Sequence, residues 1–188
     1  TGATGGHTLR LDIRRVRGRI STEASGRPMS RQIIRELHEQ YRAAIEMFLL
    51  AVENCPDHFW TRVFGDNSPF WKEAYHAVFY LRNLANGPSE NKSLTPFGID
   101  LDPRLITKAQ GVVSKGAMNS FVTQTREHVD RMFSELTVAQ LEGPDNYAPE
   151  RYRSIHHRLL YGLRHFQHHT GKLTGYLFCN GIDYDPWR

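Results

Sequence analysis

Histidine is the residue type with the clearest chemical potential in this sequence. The chain contains ten histidines, and five of them lie between positions 156 and 169. Apolar residues recur through this segment with helical spacing, so the five imidazoles are predicted to project from one helix. Imidazole is among the commonest metal ligands in proteins. The cluster therefore predicts a metal site.

The spacing of these histidines limits which of them can share one ion. Residues i and i+4 of an α-helix are about 40° apart around the axis, so His165 and His169 project from the same face. Such a pair supplies half of a tetrahedral site. His165 and His168 form an i, i+3 pair that is also sterically feasible, whereas His168 and His169 are about 100° apart. Helix geometry alone leaves the second ligand open between His168 and His169.

A third ligand is expected from a neighbouring helix. His76 lies in the middle of an aromatic and apolar run from 70 to 80, where an unpaired imidazole is costly, so it is either a ligand or a satisfied core histidine. Glu73, one turn earlier, is interpreted as a solvated surface carboxylate, with an acid/base or orienting role as the alternative. The remaining histidines are interpreted as surface or ordinary packing residues: His38, His58, His128, His156 and His157.

Four long helices must position these side chains. Apolar periodicity and capping residues predict helices over about 30–54, 69–84, 117–136 and 149–179, with a shorter one over 103–114. Ser30 is the predicted N-cap of the first, and Asn180-Gly181 the end of the last. Residues 85–104 are rich in proline and polar residues and are predicted to be irregular. Long helices without strand periodicity indicate an all-α fold, an antiparallel four-helix bundle.

The positive charge of the chain is confined to its first 28 residues. That segment holds six arginines against Asp12 and Glu23, a balance of +4, so the other 160 residues carry 18 basic and 18 acidic groups. The body of the protein therefore has no electrostatic footprint for nucleic acid. Residues 1–28 are predicted to be a foreign leader before a natural start at Met29, with a flexible basic arm as the alternative. Residues 29–188 are predicted to form one domain.

The composition also bears on two other classes of protein, those that span a membrane and those with a cysteine-based metal or redox site. The longest apolar stretch, Met47 to Val52, is too short to span a bilayer, so no membrane segment is expected. Cys55 and Cys179 belong to no metal-binding or redox spacing. They are predicted to be two buried thiols in a reducing, cytoplasmic compartment, with a disulfide between them as the alternative.

Two segments together resemble a known family. Residues 68–81, SPFWKEAYHAVFYL, are similar to the second helix of the DinB-like (DinB/YfiT) metalloenzyme superfamily, which carries a single histidine. Residues 163–173, LRHFQHHTGKL, are similar to the closing helix of that family, where HxxxH is followed by Gly and a polar residue. The resemblance covers roughly residues 29–188, and the first 28 residues have no counterpart in it.

The resemblance implies a four-helix bundle, often a homodimer, with a three-histidine metal site whose open positions hold water. By the family motif the ligands fall on His76, His165 and His169, and His168 becomes the outward neighbour. Lys172 departs from the pattern, because many relatives have Gln there. This departure concerns the surroundings of the site and removes no ligand.

Three neutral imidazoles leave a metal with its full positive charge and an open position, as in catalytic sites. Zinc or nickel is the expected ion. The resemblance implies either a hydrolase or a thiol-dependent transferase, acting through a metal-activated water or thiolate on a small molecule or with a low-molecular-weight thiol. Two alternatives stay open from the sequence: a non-catalytic metal-binding bundle with a stress or binding role, and a metal-free helical adaptor.

Overall fold

The described part of the chain is α-helical. The computed structural model describes residues 26–63, 68–86, 96–98, 101–106 and 111–182. Six helices lie in these ranges: α1 (Gly26–Asn54), α2 (Asp57–Trp60), α3 (Phe70–Leu84), α4 (Lys115–Glu135), α5 (Val138–Glu142) and α6 (Ile155–Cys179). The same ranges contain no β-strand, only an isolated bridge between Val63 and Pro69. The all-α prediction is confirmed.

The four long helices pack around a common core. α1 contacts α4 and α6, and α3 contacts the same two helices. Each long helix buries one apolar face, because its apolar residues recur every three or four positions. The largest fully buried apolar side chains come from all four helices: Tyr41, Ile45, Phe48, Phe70, Tyr75, Leu81, Met118, Leu159 and Phe166. Within the described helices, none has the length and apolar character that crossing a bilayer requires.

The first helix starts earlier than predicted. α1 begins at Gly26, so Ser30 is a residue of its second turn and the prediction of Ser30 as N-cap is wrong. Pro28 does not prevent this start, because the first N–H groups of a helix have no intrahelical partner and proline loses nothing there. Residues 1–25 lie outside the described residues. The leader or basic arm stays a prediction.

The last helix starts later than predicted and ends where expected. The backbone N–H groups of Arg151 and Tyr152 both donate to the Ala148 carbonyl, which makes residues 148–152 a turn. Ser154 then caps α6, since its hydroxyl accepts from the His157 N–H. At the other end, Gly181 has a φ of 74°, and the Ile182 N–H donates to the Leu177 carbonyl. This is the αL ending that a glycine in this position predicts.

The predicted short helix over 103–114 is wrong. Residues 101–106 and 111–114 are not helical, and 107–110 lie outside the described residues. Ser114 has an extended backbone and caps α4 by accepting from the Ala117 N–H, so it cannot continue a helix from upstream. The short helices α2 and α5 were not predicted. α5 carries a capping box in which Thr137 and Gln140 satisfy each other's backbone N–H groups.

A buried ion pair joins the turn before α6 to the end of α3. Arg158 Nε donates to Asp145 Oδ1 at 2.7 Å, and both side chains are buried. Arg158 Nη1 also donates to the Asn86 carbonyl at 2.8 Å and to that of Leu84. A buried charge needs this many partners to offset its lost hydration. The segment from 143 to 154 is thereby held against the end of α3.

The two cysteines differ in environment. Cys55 is buried, Cys179 is exposed, and both are free thiols. The prediction of two buried thiols is therefore correct for Cys55 and wrong for Cys179, which lies on the last turn of α6 and points to solvent. The alternative of a disulfide between them is excluded.

Candidate metal centre

Three imidazoles from two helices converge in the structure. The Nε2 atom of His76 on α3 lies 3.3 Å from that of His165 and 3.0 Å from that of His169, both on α6. The two α6 atoms are 3.2 Å apart. His76 and His165 are half-buried and His169 is buried. The residues that the family resemblance selects are therefore adjacent in space.

The orientation of His76 is fixed by a loop carbonyl. His76 Nδ1 lies 2.8 Å from the Pro103 carbonyl oxygen, which can only accept, so the proton is on Nδ1 and Nε2 keeps its lone pair. The loop is itself tied to the first half of α3 and to the residue two positions before that helix. The Tyr75 hydroxyl donates to the Leu101 carbonyl at 3.1 Å, and the Ser68 hydroxyl donates to that of Leu105 at 3.0 Å.

The orientation of His169 is fixed by a buried carboxylate. His169 Nδ1 donates to Glu73 Oε1 at 2.7 Å, and Lys172 Nζ lies 2.5 Å from the same oxygen. Glu73 is only 1% exposed, so its interpretation as a solvated surface residue is wrong. Glu73 lies on α3 one turn before His76. It contacts the His169 imidazole on the Nδ1 side, away from the Nε2 atom that faces the other two histidines. Its position matches the orienting role rather than direct acid/base chemistry.

His165 has a different environment. Its Nδ1 is buried and has no hydrogen-bond partner among the described residues. The ring lies between two tyrosines: it stacks on Tyr161 with centroids 5.9 Å apart and meets Tyr80 edge-on at 5.4 Å. Packing rather than hydrogen bonding therefore sets the plane of this imidazole.

Burial keeps the imidazoles of His76 and His165 uncharged at neutral pH. Burial lowers the pKa of His76 to about 4, with the Pro103 hydrogen bond opposing this shift and neighbouring positive charge adding to it. Burial and then the neighbouring histidines lower the pKa of His165 to about 3. For Glu73, burial raises the pKa, but hydrogen bonds from His169 and Lys172 outweigh it and the net pKa is lowered. Neutral imidazoles beside a carboxylate are the form that binds a metal.

The donor geometry fits a tetrahedral metal site. At metal–nitrogen distances of about 2.0–2.1 Å, two ligands of a tetrahedron are roughly 3.3–3.4 Å apart. The three Nε2 separations of 3.0, 3.2 and 3.3 Å lie close to that ligand–ligand distance. His76 and His169 both turn an unprotonated nitrogen toward the space between the three rings. Only a cation or a proton donor there relieves the repulsion between their lone pairs. The residues present therefore fit a divalent ion.

The alternative ligand, His168, is not part of the cluster. It is exposed, and its ring meets that of His169 edge-on with centroids 5.0 Å apart. The rotation of α6 that turns residues 165 and 169 toward α3 necessarily turns residue 168 away. The choice that helix geometry left open is thus decided by how α6 packs.

The other histidines have ordinary partners or surroundings. His38 pairs with Asp130 at 2.6 Å, and the ring nitrogen of His157 accepts the Arg153 N–H. His58 is exposed and His128 is buried in the core. These observations agree with their interpretation as surface or packing residues.

A cleft of about 260 Å³ opens beside the cluster. His76 and His165 form part of its wall, and the other lining residues are Tyr80, Leu84, Tyr147, Arg151, Tyr152 and Tyr161. Sequence reasoning missed most of this wall. Tyr80 follows His76 by four residues and Tyr161 precedes His165 by four, so the helical period could have found these two. Arg151 and Tyr147 lie in the turn before α6, where no period applies.

Comparison with protein families agrees with this geometry. The family model described as the DinB superfamily matches residues 40–173. The chain belongs to the DinB superfamily. The match to the DinB superfamily extends from within α1 to within α6, and it includes all three clustered histidines as well as Glu73 and Lys172. No curated protein and no solved structure matches the chain.

Proposed function

We propose that this protein binds one divalent transition metal through His76, His165 and His169 and uses it as an enzyme on small molecules. The proposal rests on one observation: three Nε2 atoms lie 3.0–3.3 Å apart. Two of them are held with their lone pairs inward, by the Pro103 carbonyl and the Glu73 carboxylate. A closed structural site would use four protein ligands, whereas three leave a position for a reactant.

The chain's own groups have separable tasks in this proposal. His76 and His165 line the cleft, so an ion held by them and His169 would lie beside the space that a substrate would occupy. Glu73 orients His169 and adds negative charge behind it. When bound, the metal supplies positive charge that lowers the pKa of a coordinated water or thiol, which suits a hydrolase or a thiol-dependent transferase.

Zinc or nickel is the proposed ion, because a site made only of imidazole nitrogens suits both. A low-molecular-weight thiol is the proposed second reactant in the transferase case. A non-catalytic metal-binding role would need no open space beside the ion, and the cleft therefore favours an enzyme. The homodimer and the cytoplasmic location stay predictions.

Metal analysis of purified protein tests the ligand set. We expect about one equivalent of metal in the wild type and less than about 0.1 equivalent in the H76A, H165A and H169A variants, because two imidazoles bind far more weakly than three. The matched control is H168A, which removes an exposed neighbouring histidine and should keep the wild-type content. Equal metal content in H168A and H169A, or none in the wild type, would refute the site.

Substrate screening tests catalysis. Ester, amide and thiol-conjugation substrates are assayed with the metal-loaded protein, the chelated protein and H169A. The proposal expects turnover only in the metal-loaded wild type and in H168A. Activity that survives chelation contradicts a metal mechanism. Stoichiometric metal without turnover on any of these classes would favour the non-catalytic alternative.

A further inference from the structure

We infer that the cleft beside the three histidines binds a small carboxylic acid with a flat apolar body, and that Arg151 is the residue that selects its carboxylate. This inference concerns the substrate class and rests on the proposed function for its connection with catalysis. The binding itself depends only on the cleft, so it can be measured separately.

The first argument is the charge of the cleft wall. Of its eight lining residues, Arg151 alone carries a fixed charge, and none is acidic. The four tyrosines add hydroxyl groups, and burial raises the pKa of Tyr80 and Tyr152, which keeps both phenols neutral. A small, partly enclosed space with one guanidinium and neutral donors attracts an anion.

The second argument is the way Arg151 is held. Its Nη2 donates to the Tyr161 hydroxyl at 2.6 Å. The guanidinium carbon also lies 4.7 Å from the centre of the Tyr161 ring and 5.5 Å from that of Tyr152. These contacts with neutral groups restrict the side chain and leave its charge uncompensated. A stacked guanidinium is well suited to bind a carboxylate through two parallel hydrogen bonds.

Several arginines of this chain pair with a carboxylate, and Arg151 is not among them. Arg158 pairs with Asp145, Arg104 with Asp102 and Arg126 with Glu46. Within the described ranges, Arg151 has no carboxylate at ion-pair distance. The buried Arg158–Asp145 pair also holds the segment from which Arg151 projects, so the guanidinium is carried by an anchored turn.

The third argument is shape. Four aromatic rings contribute to the wall, from Tyr80, Tyr147, Tyr152 and Tyr161. Aromatic walls favour flat apolar groups, because rings pack face to edge or offset. The volume of about 260 Å³ lies below the roughly 300–1,000 Å³ of pockets for drug-sized ligands. Because His76 and His165 close the same cleft, an acid held by Arg151 would place its other end toward the metal position.

Calorimetric titration with benzoate and benzamide tests the inference. The two probes share a flat ring and differ in charge. We expect benzoate to bind the zinc-loaded wild type, and R151Q to weaken it by roughly tenfold or more, as for loss of a charged hydrogen-bonded partner. The matched control is R153Q, which makes the same charge change two residues away on an exposed arginine outside the cleft. R153Q should stay within about twofold of the wild type.

The outcomes separate this inference from the proposed function. Benzoate affinity that is equal in R151Q and R153Q, or wild-type binding of benzoate no tighter than that of benzamide, overturns the inference even if the metal is bound. An Arg151-dependent affinity for benzoate in a protein that takes up neither zinc nor nickel supports the inference and refutes the metal proposal. Thermal unfolding of R151Q, expected to match that of R153Q, verifies that the variant is folded.

Discussion

Glu73 places a buried carboxylate beside the histidine cluster. It is 1% exposed and contacts both His169 and Lys172 through one carboxylate oxygen. A buried carboxylate is tolerated only where hydrogen bonds and positive charge replace its hydration. The lysine at position 172, where the sequence departs from the family pattern, is one of these two partners. The departure therefore adds charge behind the site without altering the ligands.

The role of Glu73 is testable through metal affinity. Glu73→Gln keeps an oxygen that can accept from His169 Nδ1 but removes the negative charge that makes the imidazole a better ligand. We expect metal affinity to fall by about 10–100-fold, the usual effect of losing such a partner. Competition with a chromophoric chelator measures it. Glu127→Gln, an exposed position on α4, is the control, and an equal affinity in the two variants would contradict the orienting role.

At the scale of secondary structure, three helices come close together at Gly162. A Cβ atom on this α6 residue would lie 2.8 Å from the Tyr41 hydroxyl oxygen of α1 and 3.3 Å from Leu84 Cβ of α3. The hydroxyl itself donates to the Leu159 carbonyl at 2.7 Å. Gly162 therefore lets three helices meet less than one turn before His165.

Substitution of Gly162 tests the tightness of this contact. We expect Gly162→Ala to lower the free energy of unfolding by about 1–3 kcal/mol, because overpacking outweighs the better helix propensity of alanine. The matched control is Gly175→Ala on the same helix, where nothing lies within 4 Å of the added atom. That variant should gain up to about 1 kcal/mol. Urea unfolding measures both.

A second variant separates the clash from other effects. Tyr41→Phe removes the oxygen that the new methyl group would meet, at the cost of one hydrogen bond of about 1 kcal/mol. In that background Gly162→Ala should be less destabilising, which a double-mutant cycle reports as coupling. Additive effects of the two changes would show that the close approach does not limit packing.

At the scale of the whole molecule, the buried cluster makes stability depend on pH. The pKa of His76 is lowered from 6.5 to about 4 and that of His165 from 6.5 to about 3. Below pH 6.5 these two histidines therefore bind protons in the unfolded chain but stay neutral in the folded chain. Acid consequently favours unfolding. The lowered pKa of Glu73 acts in the same direction at lower pH, since its stabilising charge is lost as the carboxylate is protonated.

We expect the metal-free protein to lose roughly 2 kcal/mol or more of unfolding free energy between about pH 7.5 and pH 5. Urea unfolding after chelation at the two pH values measures the loss. A variant with both His76→Gln and His165→Gln should have a flatter dependence, whereas His168→Gln should keep that of the wild type. A double variant as acid-sensitive as the wild type would show that other groups are responsible.

For the molecule as a whole, the sequence predicts the main helices and the candidate ligands. Apolar periodicity located the four long helices, and glycine chemistry located the end of α6, because both depend on residues within a few turns of one another. Helix geometry paired His165 with either His168 or His169, and His76 was a candidate because of its place in an apolar run. The family motif selected His76, His165 and His169 among these residues. Rules of local structure were sufficient for the helices, whereas the choice of ligands came from the motif.

Errors arose from local capping, and also where neighbours distant in sequence decide the outcome. Periodicity continued α6 back to 149, but a turn around Ala148, followed by the Ser154 cap, starts the helix at Ile155. The predicted helix over 103–114 fails because residues 101–106 are bonded to α3. The burial of Glu73 could not be foreseen, because an amphipathic helix normally exposes its charged residues, whereas every residue of α3 is buried or half-buried.

The sequence by itself determined the all-α class, the helices that carry the histidines and the identity of the ligand candidates, since these depend on spacing along the chain. Only the tertiary structure brought His76 into contact with His165 and His169, placed Glu73 and Lys172 behind His169, and brought Arg151 to the same cleft. Those facts depend on the rotation and contact of helices packed against one another. Contacts of that kind link residues far apart in the chain, and no local pattern records them.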